Sequence, residues 1–529
     1  MVCTATFMLL LDLTVVFVAL GRIQQDFHSD LGSLQWVVDA YTLPLAGLLL
    51  TAGTLGDRFG RRRVFLVGMT LFVAGSIGCA LAWSPLALDL TRAVQGVGGA
   101  LLFGVALPLL GEAFPEPRER AGAIGAFGAT MAAATAVGPL VGGALVEGPG
   151  WRWIFVINVP IGVAALIAGR LRLRESRAAT VRRTDVPGAV LLVAGLFALL
   201  LAIIRGNDEG WTSAPILALF AAAALLLAAL LVRQARAAEP MLDVRLFAQR
   251  SFLGLAVAVF AMMATLVAAT NYLALYVENT LGYSPLASGV RFLPLTVAAF
   301  VAAPLAAALP DRIPARLTIS GSLGLAAVGM ALMARLHGDS QWTALLAGFL
   351  IAGVGLGAAS AATSNAALTL STADPSRTGM VTGTINTMRQ TGLATGVAVL
   401  GAVFQRRATD AASPPIAATG LPREAVTALA NAIGSGSGLR ATTAVPGAAQ
   451  AVADEAARTA TTLALNDVLR IGAIAAGVAA AVALITIRRE SSTAPDAEPG
   501  HYSTQPTEPI QGWERQEPSG QSVDAGTTP

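Results

Sequence analysis

Apolar residues in this chain run in long unbroken blocks, and polar residues collect in short stretches between them. A block of about 20 mostly apolar residues is what an α-helix needs to cross a hydrocarbon layer. Windows of that size lie near 4–22, 34–55, 64–82, 86–110, 121–146, 152–170, 186–204, 214–232, 252–277, 287–309, 317–335, 342–366, 379–404 and 467–487. Fourteen transmembrane helices are therefore predicted. The first block has no basic start, holds Asp12 in its middle and lacks a small-x-small cleavage pattern, so it reads as a retained span and not as a secretory signal. Segment 405–466, rich in Ala, Thr, Pro and Gly, is expected to be an outer loop before the last span, and the polar, Pro-rich, acidic stretch 490–529 a disordered tail.

Composition agrees. The 529 residues are 55% hydrophobic and 13% charged, with mean hydropathy +0.66. Soluble domains carry roughly 25% charged residues, so a soluble enzyme, a nucleic-acid binder and a disordered scaffold are all excluded. The net charge is +3 and every basic residue is Arg, which removes any Lys Schiff base or phosphate-loop Lys. Cys3 and Cys79 are too few for a disulfide framework, and His28, His337 and His501 fall outside the apolar blocks, so no metal or other cofactor is expected. A multi-pass membrane protein remains.

The arginines orient it. Arg58, Arg61, Arg62 and Arg63 follow the second window; Arg172, Arg174, Arg177, Arg182 and Arg183 follow the sixth; Arg233, Arg236, Arg245 and Arg250 follow the eighth; Arg488 and Arg489 follow the last. The alternate connections 83–85, 205–213, 278–285 and 336–341 hold at most one Arg each. Both termini are thus expected in the cytoplasm. The stretch Gln405-Arg406-Arg407 runs against the rule, which long loops obey poorly.

A repeat is visible as well. Gly53 to Arg63 reads G-T-L-G-D-R-F-G-R-R-R, and Ala307 to Arg316 reads A-A-L-P-D-R-I-P-A-R, each just past an apolar window. Corresponding positions in two sets of six spans suggest two homologous bundles, 1–172 and 251–487, joined by a two-helix insert at 173–250 and followed by a tail at 488–529. Parallel repeats of this kind place the substrate between the halves.

Five motifs now carry a resemblance. Gly53-Thr54-Leu55-Gly56-Asp57-Arg58-Phe59-Gly60-Arg61-Arg62-Arg63 resembles the loop signature of the major facilitator superfamily, and Leu90-Thr91-Arg92-Ala93-Val94-Gln95-Gly96-Val97-Gly98-Gly99-Ala100 its fourth-helix motif. Ala136-Val137-Gly138-Pro139-Leu140-Val141-Gly142-Gly143 resembles the fifth-helix motif of its antiporters. Leu11-Asp12-Leu13-Thr14-Val15-Val16-Phe17-Val18-Ala19-Leu20, with Trp151-Arg152-Trp153-Ile154-Phe155-Val156-Ile157-Asn158-Val159-Pro160, is similar to the fourteen-helix drug:proton antiporters. Gln35-Trp36-Val37-Val38-Asp39-Ala40-Tyr41-Thr42 looks most like the exporters of antibiotic-producing bacteria. The resemblance covers about 9–404 and the last span. Three departures stand out: Gly21-Arg22 where that family has a Pro, a degraded second loop motif, and little chain before the first span, as though the start lay upstream. The implied fold is all-α, two six-helix bundles plus two linker helices. The implied protein is a monomeric proton-coupled drug or antibiotic exporter without enzymatic activity, driven by the proton gradient. Export of an endogenous metabolite, such as a siderophore or amino acid, is the alternative; a non-transporting sensor or a membrane enzyme is the rival from another class.

Elementary physics singles out the charges. Asp12 sits ~15 Å from either face at a 1.5 Å rise per residue, where a lone carboxylate costs on the order of 3 kcal/mol or more. It is expected to carry protons; the structural alternative is a bond to a neighbouring hydroxyl such as that of Thr14. Asp39 and Arg92 both fall ~8–9 Å deep by the same arithmetic, so they are expected to pair, as a proton relay or as a fixed ion pair. Gly138, Pro139, Gly142 and Gly143 allow close helix approach and a bend, which the resemblance makes the antiporter hinge. Gly53, Gly56 and Gly60 suit a tight turn, and Asp57 can cap a helix; the resemblance implies a latch of Asp57, Arg58 and Arg61, near Thr378 and with Glu112 as partner of Arg61. Trp36, Gln95, Asn158, Asn271, Arg291, Asn365, Asn386, Arg389 and Gln390 are the remaining polar or aromatic candidates for the cavity wall. An otherwise Ala/Gly-rich apolar lining suits a bulky lipophilic ligand more than a sugar or inorganic ion.

Overall fold

Every apolar window falls on a helix in the computed structural model, which describes residues 1–114, 116–177, 185–237, 240, 242–307, 313–372, 378–445 and 448–487. In chain order these are α1 (Val2–Phe27), α2 (Leu31–Phe59), α3 (Arg61–Ala80), α4 (Pro85–Ala113), α5 (Pro117–Glu147), α6 (Trp153–Arg172), α7 (Val186–Glu209) and α8 (Ala214–Arg236). Then come α9 (Arg250–Thr280), α10 (Pro285–Ala307), α11 (Ala315–Met333), α12 (Leu346–Thr372), α13 (Thr378–Ala417), a short α14 (Arg423–Ala432) and α15 (Ala448–Thr486). Among the described residues, eleven helices are long and apolar enough to cross a membrane, and α2, bent by 55° between Leu49 and Thr51, makes a twelfth if counted whole. The windows 121–146 and 379–404 lie on α5 and α13, and α5 carries only a shorter apolar stretch, Val137–Glu147. Large apolar side chains such as Leu81, Leu86, Leu171, Leu225, Ile474 and Ile485 stay exposed, as lipid-facing positions do. The chain is an all-α, multi-pass membrane protein.

Local chemistry sets the helix ends. Asp30 accepts the Ser33 N–H at 2.8 Å and starts α2, and Ser84, followed by Pro85, accepts the Ala87 N–H at 3.2 Å to start α4. Gly60 holds φ 109°, which closes the turn from α2 to α3. Asp185 accepts from Gly188 N–H at 2.9 Å, from Arg233 at 2.7 Å and from Gln234 at 2.7 Å, so it caps α7 and clasps it to α8. Burial alone would raise this carboxyl, but the Arg233, Gly188 and Gln234 donors outweigh it and hold Asp185 below the usual carboxylate range.

Packing repeats between the two sets of spans. The pairs α2–α4, α3–α4, α1–α5 and α3–α6 recur as α10–α12, α11–α12, α9–α13 and α11–α15. The halves meet along α5–α10 and α2–α13, while α7 and α8 pack on each other, with α7 against α2 and α13. Glycine makes these approaches possible. A Cβ on Gly98 would lie 2.5 Å from Phe72 N and 2.7 Å from Gly68 O, and one on Gly289 would lie 2.3 Å from Pro139 O.

Segment 405–466 is not a loop, contrary to the sequence expectation. Helix α13 continues to Ala417, α14 follows, and α15 begins at Ala448. Ala412 and Ile416 pack with Val426, Leu429, Ile433, Ala453, Ala456 and Ala460 into a separate small core. The Ala-rich composition is a strong helix former, and this core gives it a face to bury. Gln24 of α1 donates to Ser435 O at 2.7 Å and Asn279 of α9 to Gly436 O at 2.8 Å, so the segment ties both halves together at the end opposite Arg58–Arg63. Pro310, Asp311 and Arg312 of the second loop motif, Arg182, Arg183, Arg488, Arg489 and the tail lie outside the described residues.

Two glycines separate close packing from mere helix composition. Gly98→Ala forces backbone apart and should destabilise the purified protein by about 1–3 kcal/mol. Gly321→Ala, with open space around it, should gain up to about 1 kcal/mol from helix propensity. Thermal unfolding in detergent reads both; a Gly98→Ala protein as stable as wild type would show that α3 and α4 are not held at this distance.

Candidate functional site

One turn of α4 brings Arg92 and Gln95 onto the same helix face, where they meet Asp12 of α1. Arg92 Nη1 donates to Asp12 Oδ2 at 2.5 Å and to Gln95 Oε1 at 2.7 Å, and Nε donates to Val37 O at 3.0 Å. Gln95 Nε2 donates to Asp12 Oδ1 at 2.9 Å and to Ser76 Oγ at 2.8 Å. Asn158 Nδ2 donates to Asp12 Oδ1 at 2.7 Å. Asp12, Ser76, Arg92, Gln95 and Asn158 are each 0% exposed. Helices α1, α4 and α6 thus meet at one carboxylate, and α3 joins the network through Ser76 and Gln95. A Cβ on Gly75 would sit 2.8 Å from Gln95 N, so this glycine lets α3 come close enough for Ser76 to reach.

This arrangement corrects the sequence reading. Arg92 pairs with Asp12 and not with Asp39, and the Thr14 hydroxyl bonds Leu10 O and Leu11 O instead of Asp12. The orientation of α2 decides it. Val37 and Tyr41, which touch Arg92, stand about half a helical turn around α2 from Asp39. The face of α2 that carries Asp39 also carries Gln35 and Ala46, which bond Tyr272 and Thr387 of the other half. Asp39 is 0% exposed and neither carboxylate oxygen has a hydrogen-bond partner.

The Tyr41 ring lies under the Arg92 guanidinium, 4.3 Å from its centroid, a cation–π contact worth about 2 kcal/mol when desolvated. The same Tyr41 lines a cavity with Leu9, Leu10 and Leu13 of α1, Leu45 and Leu49 of α2, Phe103 of α4, Met131 of α5, and Asn386, Arg389 and Gln390 of α13. Its void is about 30 Å³, room for a water molecule or two. A larger hollow of about 390 Å³, wholly apolar in its side chains, lies between α9, Met388 and α15. Exposed Leu253 and Val478 border it, so it opens sideways and holds none of the charged network.

Other candidates scatter. Trp36 packs on Phe197 of α7 with ring centroids 5.2 Å apart, against the linker pair. Arg291 stacks on Tyr283 at 3.5 Å near the start of α10. Asn271 is buried with both amide atoms unpartnered. Gly138 and Gly142 press on Thr14 and Val15 of α1, and a Cβ on Gly143 would lie 2.5 Å from Pro285 O of α10, so that motif occupies the seam between α1, α5 and α10.

In the loop motif, Arg61 pairs with Asp57 at 2.9 Å and with Glu112 at 3.5 Å. Gly56 faces Val105 of α4 at 2.6 Å for an added Cβ, Gly53 faces Gly104 O at 3.7 Å, and Arg58 stacks on Phe59 at 5.2 Å. The side chain of Thr378 lies outside the described residues. Sequence reasoning missed Glu175, whose carboxylate accepts the Arg62 N–H at 3.1 Å and faces Arg63 at 3.6 Å. It also missed Ser76 and the double contact of Tyr41. A hydroxyl and a phenol inside apolar windows were the available signal.

A model of the Major Facilitator Superfamily matches residues 2–397. The tetracenomycin C resistance and export protein of Streptomyces glaucescens is 34% identical over 509 residues, 95% of this chain and 94% of that protein. The multidrug resistance protein Stp of Mycobacterium tuberculosis is 36% identical over 404 residues, 75% and 74% of the two chains. Among solved structures, a bacterial homologue of the human lysosomal transporter Spinster, inward-facing and unoccupied, superposes with a TM-score of 0.60 at 17% identity over 93% of this chain and 97% of that one. That likeness speaks for the fold. The family match and the two relatives go further: this chain belongs to the Major Facilitator Superfamily.

Proposed function

We propose that the chain is a proton-driven exporter of lipophilic, antibiotic-like compounds, working by alternating access. The observation that carries it is a sealed Asp12–Arg92 pair separated by one aromatic ring, Tyr41, from a cavity shared by both halves. The names of relatives, a resistance and export protein and a multidrug resistance protein, support the substrate class. Fourteen helices cross the plasma membrane of a bacterium, arranged as bundles 1–172 and 251–487 around the insert 173–250. The Arg-rich loops and both termini face the cytoplasm, and the protein works as a monomer without a cofactor.

In this mechanism a proton taken up by Asp12 removes the charge that Arg92 Nη1 faces. The guanidinium then loses its strongest partner, and its stack on Tyr41 must readjust. Tyr41 is also cavity wall, so proton uptake reshapes the substrate site. Gly138, packed on Thr14 two residues along α1, passes the shift to α5 and the seam with α10. Arg61 with Asp57 and Glu112 latches the cytoplasmic side. Asp39, buried and unpaired on the interface face of α2, is a second proton carrier.

Two sets of variants test this in inverted vesicles under an imposed pH gradient. Asp12→Asn should lose gradient-driven drug uptake at least tenfold, and its membrane abundance should fall because Arg92 is left buried without its counter-ion. Arg92→Ala leaves a buried carboxylate alone, which costs about 3–5 kcal/mol, so abundance should fall too. Asp12→Asn with Arg92→Gln should recover abundance and stay inactive; recovery of both together would make the pair structural only.

Tyr41→Phe keeps the ring and should pump within about twofold of wild type. Tyr41→Leu removes the cation–π contact and should uncouple transport, with drug still bound by purified protein and gradient-driven uptake down at least tenfold. Normal pumping by Tyr41→Leu would sink the coupling role.

A further inference from the structure

Two arginines reach into the apolar depth of the central helices, and their surroundings differ. Arg92 is met by Asp12, Gln95, the Val37 carbonyl and the Tyr41 ring. Arg389, on α13, makes no ion pair and no hydrogen bond among the described residues, and its Nε is buried without a partner. It stands eleven residues beyond Thr378, ~16 Å along the helix, near the middle of a ~30 Å hydrocarbon layer. A guanidinium at that depth normally turns to a carboxylate or a backbone carbonyl. Here it lines the cavity instead, between the amides of Asn386 and Gln390 and opposite Tyr41, Phe103 and Met131.

Among the described residues, no acidic one lines that cavity. The Asp12 oxygens are taken by Arg92, Gln95 and Asn158. Asp39 has no hydrogen-bond partner either, but it sits on the α2 face that meets Tyr272 and α13 nearer the opposite end. The cavity is therefore cationic at one point and aromatic or apolar around it. A planar guanidinium fork matches a carboxylate, sulfonate or phenolate, and the rings and thioether accept a flat hydrophobic body.

We propose that Arg389 is the anion-recognition point of the substrate cavity, and that the compounds carried are aromatic or polycyclic acids. The inference rests on the export reading and narrows it. A small free acid and an acidic lipid headgroup share the chemistry; the ring-stacking wall favours the aromatic acid.

The test uses two dyes with one skeleton. 1-Anilinonaphthalene-8-sulfonate carries the anion and N-phenyl-1-naphthylamine lacks it. Binding to purified protein is measured by fluorescence, and proton-driven movement of each dye is measured separately in inverted vesicles. Wild type should bind the sulfonate at least tenfold more tightly than the neutral dye, the range of a hydrogen bond to a charged group. Arg389→Gln should erase that preference and change neutral-dye affinity by less than about twofold; Arg389→Lys should keep part of it. Should Arg389→Gln fail to fold, Arg389→Lys and the wild-type preference decide. Displacement of the sulfonate dye by vesicles of anionic phospholipid, and not by naphthalene sulfonate, would assign the site to lipid and overturn the aromatic-acid proposal. Equal binding of the two dyes, or a preference lost as fully in Asp39→Asn as in Arg389→Gln, would overturn it too. Preferential binding without gradient-driven movement would leave anion recognition standing and sink the export reading alone.

Discussion

A carboxylate and a guanidinium with no access to water set the terms for the first half of this protein. Transferring either charge alone into that interior is costly, and the mutual attraction repays the cost only when the remaining donors and acceptors are also met. Asp12 therefore draws in Gln95 and Asn158, Gln95 draws in Ser76, and Arg92 takes the Val37 carbonyl and the Tyr41 ring. The glycines of α3 and α4 follow from the same demand. Bulkier residues at Gly75 or Gly98 would hold the helices apart, and a network with bonds of 2.5 to 3.0 Å would not close.

How this order is stored in the sequence differs from element to element. Span positions were legible because a bilayer filters for long apolar blocks, and all the predicted windows fall on helices. The helical rise put Asp39 and Arg92 at similar distances from their helix ends, and that was not enough to pair them. Azimuth was not legible, because an α2 polar on two sides gives no unique face: Tyr41 and Val37 turn to α4, Gln35 and Asp39 to the other half. Segment 405–466 was misread for a related reason. Its low hydropathy excludes a membrane span, but a small Ala-rich core needs far less apolar area than a span and still orders helices. The clasp of Glu175 on Arg62 and Arg63 joins residues more than a hundred positions apart, and no local pattern marks it.

The departure at Gly21 has a similar explanation in space. A Cβ there would lie 2.9 Å from Glu278 Oε2 of α9, and Glu278 is buried within a π-helical turn, Tyr276–Thr280. With Gln24 on Ser435 and Asn279 on Gly436, the two halves are in close polar contact at the end far from the Arg-rich loops. Close-packed seams of this sort switch between arrangements more readily than they deform. The seam between α5 and α10 is built the same way, with Gly143 against the Pro285 carbonyl and Gly289 against the Pro139 carbonyl.

If the cargo is an acid, charge by itself couples proton and substrate in the wrong sense. A proton on Asp12 leaves Arg92 unneutralised and adds positive charge beside the cavity, which attracts an anion. Exchange requires the opposite: each ligand must disfavour the other, by the same free energy in both directions. The coupling in an exporter of acids therefore has to be steric and stronger than this electrostatic bias. Tyr41 is the group placed to supply it, since one side of its ring carries the Arg92 guanidinium and the same side chain fills part of the cavity wall. The void beside it is only about 30 Å³. To give exchange its sign, a Tyr41 ring released by proton uptake has to turn into that space and displace the acid, so that the site empties as Asp12 gains its proton.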